Sequence, residues 1–103
     1  MPATNPDGTY TTEFLLWEAE LEFRVAARHL FQTARILRSA VGAHDATEMT
    51  PAIVCVATMR AETDRGVARA LYGWNAASQA LMDAAVARAE LDPTFDIRPL
   101  LPA

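Results

Sequence analysis

Residues 11–42, TTEFLLWEAELEFRVAARHLFQTARILRSAVG, decide the fold of this chain. Thr11 or Thr12 suits a helix N-cap, because its side-chain oxygen can accept from the unpaired N–H groups of a first turn. Glu13 follows in that turn, where the helix dipole favours negative charge. From Glu13 to Val41 there is no proline and no glycine. Gly42 then offers a left-handed stop, with Arg35 and Arg38 in the closing turns. The stretch predicts one long helix.

Its faces say what that helix needs. Leu16, Phe23, Leu30 and Leu37 recur every seven residues, with Ala19, Ala26, Ala27, Ala34, Ala40 and Val41 beside them. A stripe of large residues with small flanks is what one helix packed along another presents. A second stripe, Phe14, Trp17, Leu21 and Val25, runs down nearly the opposite side of the N-terminal half. Between the two, Glu20, Arg24 and Arg28 are spaced for i,i+4 pairing. A helix apolar on two sides is covered on two sides, by the C-terminal tail, by part of a second helix, or by another chain.

Outward from this helix the chain divides simply. Residues 1–10, MPATNPDGTY, hold two prolines and an Asp-Gly pair and read as a flexible, turn-rich leader. Residues 42–49, GAHDATEM, form a loop, and Thr50-Pro51 opens a second helical region as N-cap and first helical residue. That region runs to about Leu91, where Asp92-Pro93 ends it. It reads either as one uninterrupted or gently bent helix or as two helices with a turn near Gly66, in Asp64-Arg65-Gly66. An interior glycine costs about 1 kcal/mol without forbidding a helix. The helical domain is thus 11–91. Residues 92–103 form an extended, proline-rich tail whose Phe95, Ile97, Leu100 and Leu101 are apolar enough to lie along a groove.

The class is all-α, a long helical hairpin. Two helices in a hairpin cannot each bury two stripes, so dimerisation into a four-helix bundle is the expected completion. Within the second region, Ile53, Val56, Val67, Leu71, Trp74, Leu81 and Ala85 cluster on one side. About a quarter-turn away run Gly66, Ala70, Gly73 and Ala77, continued by Ala80 and Ala84. Small residues at this spacing permit a close helix crossing. The expectation is that this small stripe faces the alanine-lined side of the first helix and the Trp74 stripe faces elsewhere. Plain alanine richness of an ordinary core is the rival explanation.

Composition narrows the partners. Hydrophobic residues make up 51% and charged residues 21% of the 103, enough apolar content for one globular domain. The formal charge of -4 argues against nucleic acid or an anionic membrane surface as a partner. All nine basic residues are arginine, the usage of a GC-rich, bacterial genome. Cys55 is the one cysteine, so there is no internal disulfide framework. The N-terminus lacks the charged and apolar regions of a secretory signal. The apolar run 52–59 is far shorter than the roughly 20 residues a spanning helix needs. A cytoplasmic location is expected.

Few residues hint at chemistry. Glu22 and His29 share a flank of the first helix, and the second region adds Glu62 and Asp64. The seven-residue gap from Glu22 to His29 is two turns, too wide for one ion, and the Glu-x-x-His pattern of bundle metal sites is absent. No metal and no cofactor are expected. His44, Asp45 and Glu48 share the loop, where Asp45 is an ordinary turn residue. Haem ligation through His29 or His44 with Met59 has no attachment motif behind it. Cys55, between Val54 and Val56, reads as a small buried filler. The arginines could line a pocket for an anionic metabolite, Arg60, Arg65 and Arg69 with Arg24, Arg28, Arg35 and Arg38. Arg60–Asp64 and Glu62–Arg65 are, however, spaced as local surface pairs.

The reading that results is a protein–protein interaction module, an accessory or regulatory subunit that pairs with itself, a larger protein, or both. Phe14, Trp17, Leu21 and Val25, with Trp74, Phe95 and Leu100, are its expected contact residues, since Trp and Phe anchors dominate such surfaces. The alternative is a small bundle enzyme using Glu22, His29 and Glu62 as ligands or acid–base groups, or an arginine-lined anion pocket.

Overall fold

A computed structural model describes residues 3–98. It contains three helices, α1 (Thr12–Ala40), α2 (Pro51–Ala61) and α3 (Arg65–Leu91). The only β pairing among the described residues is an isolated antiparallel bridge between Thr4 and Tyr10. The chain is all-α, as its periodicity requires. No helix among the described residues is long and apolar enough to cross a membrane.

Each helix end has a local cause. Thr11 caps α1, its hydroxyl accepting from the Phe14 N–H at 3.1 Å. At the far end Gly42 takes φ +80. There the Ala43 N–H reaches the Arg38 carbonyl at 2.8 Å and the Gly42 N–H reaches that of Ser39 at 3.1 Å. Those two bonds are a Schellman closure, which needs the left-handed residue that glycine supplies most cheaply. Thr50 caps α2, accepting from the Ile53 N–H at 3.3 Å, with Pro51 at the first helical position.

The second region is two helices, not one. The break falls at residues 62–64, and Asp64 makes it. Its carboxylate accepts from the N–H groups of Gly66 (2.9 Å) and Val67 (3.2 Å), so α3 begins with its own cap. Gly66 is not the hinge itself but lies in the first turn of α3.

The chain divides into two compact units, Met1–Ala27 with Ala80–Ala103, and Arg28–Gln79. In the second, Leu37 of α1, Val41 just past its end, Ala57 of α2 and Val67 of α3 form a buried cluster. Leu37 and Ala57 are wholly enclosed. Burying side chains the size of Leu37 and Val67 stabilises by about 1.5–3 kcal/mol each. Ile53, Ala70, Leu71 and Trp74 pack around this cluster. Arg60 ties α2 to it, its guanidinium donating to the Val41 carbonyl at 3.1 Å.

This arrangement reverses the expected facing of α3. The bulky line Val67, Leu71 and Trp74 meets the core, and the small stripe lies to its side. A Cβ added to Gly73 would find nothing within 4 Å, and one on Gly66 would meet only the Asp64 carboxylate at 3.2 Å. Neither glycine makes a close helix crossing. Ala70 packs against the cluster and Ala77 is buried, as the inner edge of the bulky face rather than as parts of a smooth one. Volume decides the outcome, because Trp74 and Leu71 lose far more than glycine by staying in water.

In the other unit Ala19 and Ala85 are buried. An Asx turn follows α3, in which the Asp92 carboxylate accepts from the Thr94 N–H at 3.0 Å and from the Thr94 hydroxyl at 2.6 Å. The Phe95 N–H closes it on the Asp92 carbonyl at 3.0 Å. Phe95 then meets Phe23 edge-on, centroids 5.3 Å apart, and the Arg88 guanidinium lies 4.4 Å from the Phe95 ring centre. The described part of the tail therefore turns back onto its own unit instead of running extended.

Candidate interaction surface

Within the unit Met1–Ala27 with Ala80–Ala103, the leader and the first turns of α1 build one aromatic ledge. Asp7 turns the leader by accepting from the N–H and the hydroxyl of Thr9. Asn5 holds the segment that follows, donating to the Tyr10 carbonyl at 3.4 Å. Tyr10, just before the cap, stacks on Phe14 with ring centroids 5.0 Å apart. Phe14 in turn leans on Trp17 at 5.9 Å. A residue preceding the cap that packs on the first turn fixes the angle at which the chain enters the helix. Leu21 and Val25 continue the ledge at the i,i+4 spacing that keeps side chains on one face.

The ledge is open. Trp17 is 54% exposed, Leu21 47% and Val25 59%. Its flank carries the one expected ion pair of α1, Arg24 to Glu20 at 2.6 Å, solvated enough to add little stability.

The expected contact residues are thus divided. Phe14, Trp17, Leu21 and Val25 lie together. Trp74 is a core-packing residue of the Arg28–Gln79 unit, and Phe95 is covered by Phe23 and Arg88. Leu100 lies outside the described residues. Tyr10 was not singled out from sequence; the signal was there in its position four before Phe14, beside a threonine cap.

The chain matches no family model, no curated protein and no solved structure.

The candidates for chemistry are scattered. Glu22 is exposed in one unit, and His29 and Glu62 are exposed in the other. No group of three or more His, Cys, Asp or Glu side chains that could hold a metal occurs among the described residues. His44 lies 3.4 Å from the Ser39 hydroxyl through Nδ1, while Asp45 and Glu48 are exposed beside it. Cys55 is an exposed free thiol rather than a buried filler, because Ala57 is the buried residue of α2. Arg60 serves the end of α1 and Asp64 the start of α3, so the Arg60–Asp64 surface pair gives way to two caps. Of the arginines, Arg35 and Arg38 line one cavity.

Proposed function

We propose that the chain is a small helical protein–protein interaction module, an accessory or regulatory subunit, that docks through Tyr10, Phe14, Trp17, Leu21 and Val25. One observation carries this reading: three large apolar side chains in line on α1 are about half exposed, on the side away from buried Ala19. Covering the exposed half of each such side chain stabilises a complex by roughly 1 kcal/mol. Aromatic anchors commonly supply most of an interface's energy.

The first occupant of this face is a second copy of the chain. Charge along α1 supports it. Glu13, Glu18, Glu20 and Glu22 occupy residues 13–22 without a basic residue, and Arg24 and Arg28 follow directly after them. An antiparallel pair of α1 helices crossing at the stripe sets each acidic segment toward Arg24 and Arg28 of the other copy, the self-complementarity that a two-fold interface needs. The outcome is a helical bundle built from two copies, in which each stripe covers its twin. A larger partner protein would bind as the dimer or displace it. The cytoplasm suits an exposed free thiol such as Cys55.

Substitution tests the face directly. Trp17→Ala and Leu21→Asp should lower self-association by at least about tenfold each while helicity is kept. Variants that associate like the parent would sink the assignment.

A further inference from the structure

We infer that the cavity beside the C-terminal end of α1 binds the phosphate group of a small organic molecule, with Arg38 as its anchor and Arg35 as the second clamp. Arg38 is only 8% exposed, yet its guanidinium makes no hydrogen bond and no ion pair among the described residues. Burial of its stem fixes this side chain in place and leaves a guanidinium with no protein acceptor among the described residues, a fork available to a ligand. No side-chain nitrogen or oxygen among the described residues is sealed from solvent without a partner. The guanidinium therefore keeps its opening to the outside, through the cavity of about 430 Å³ that Arg38 lines with Phe31, Arg35, Ser39, His44 and Thr47.

The obvious structural use for a cation at a helix C-terminus is already filled. The Ala43 and Gly42 N–H groups satisfy the carbonyls of Arg38 and Ser39, and Arg60 satisfies that of Val41. The Arg38 side chain is left over. The helix end itself carries partial negative charge, so attraction of an anion has to come from the arginines.

Two guanidinium forks suit a phosphate better than a carboxylate. A phosphate monoester brings a charge of about −1.5 to −2 near neutral pH, which two arginines match, whereas one arginine satisfies a carboxylate. The Ser39 hydroxyl and the His44 ring, 3.4 Å apart, add polar partners at the same wall. Phe31 is 64% exposed and offers an apolar wall for the organic part. The volume falls within the roughly 300–1,000 Å³ typical of small-molecule sites. Asp45 and Glu48 follow His44 in the loop but do not line the cavity. The site lies wholly within Arg28–Gln79 and is independent of the docking face.

Calorimetric titration of the full chain with phenyl phosphate, inorganic phosphate and benzoate tests the inference. Phenyl phosphate should saturate, inorganic phosphate should compete more weakly, and benzoate should bind least. Arg38→Gln and Arg35→Gln should each weaken phenyl phosphate by about tenfold or more. No saturation by either phosphate, binding that both variants retain, or tighter binding of benzoate would overturn it. Should Arg38→Gln lose helicity, exposed Arg35→Gln and the amide resonances of Ser39, His44 and Thr47 decide. Shifts of those amides on adding phenyl phosphate support the site; shifts elsewhere, or none, contradict it.

Discussion

Trp17 and Ala19 stand two residues apart on α1 and face opposite ways, Trp17 54% exposed and Ala19 5%. Two steps along a helix turn it by about 200°. The largest side chain of the helix is therefore held in solvent by the same geometry that seals the smaller one. Hydrophobic burial would favour the reverse, and a partner on the Trp17 side resolves the conflict.

Gly73 gives a test of the facing of α3. A helical glycine with open space where its Cβ would stand is a weak point in the helix. Gly73→Ala should stabilise the chain by about 0.5–1 kcal/mol in urea unfolding. A loss of stability would mean that another helix does pack against that position.

Asp64→Ala tests the break between α2 and α3. It removes the acceptor for the Gly66 and Val67 N–H groups, and loss of a cap costs about 0.5–2 kcal/mol. Asp64→Asn or Asp64→Ser should recover most of the loss, because either side chain can still accept. Equal stability of Asp64→Ala and the parent would show that the cap does not hold the break.

These elements were unequally legible in the sequence. The ends of α1 and the start of α2 follow from short-range chemistry, Thr11, Gly42 and Thr50-Pro51, which acts within four residues. The break at Asp64 was visible only as an alternative, since a forty-residue apolar pattern reads the same with or without a turn in it. The facing of α3 was misread because spacing identifies two stripes but not which one finds a core. That depends on Leu37, Val41 and Ala57, distant in sequence from Trp74. The outer stripe of α1 was legible because Phe14, Trp17, Leu21 and Val25 keep one face without help from elsewhere. The Arg38 cavity was not, since it requires the loop carrying His44 and Thr47 to fold back beside α1.

The turn after α3 should respond to acid. The Thr94 hydroxyl and then the Thr94 N–H hold the Asp92 carboxyl below its ordinary value of 3.8. Its contribution is therefore complete above that value and is lost as pH falls through the lower folded-state value. The contact between the Phe23 and Phe95 rings, followed by proton NMR, should be unchanged from neutral pH to 3.8 and should loosen only below it. The Asp96 carboxyl is likewise held below its ordinary value, by Arg98. Asp92→Ala separates the two, because it should loosen the ring contact at every pH. A ring contact that titrates near neutrality, or that Asp92→Ala leaves intact, would rule out this role.

The most direct measurement of the docking claim is native mass spectrometry of the purified chain over a range of concentrations, beside Leu21→Asp. The account predicts a dimer that grows with concentration and a Leu21→Asp variant that stays monomeric. A parent that remains monomeric at every concentration, or a dimer that Leu21→Asp leaves intact, would contradict it.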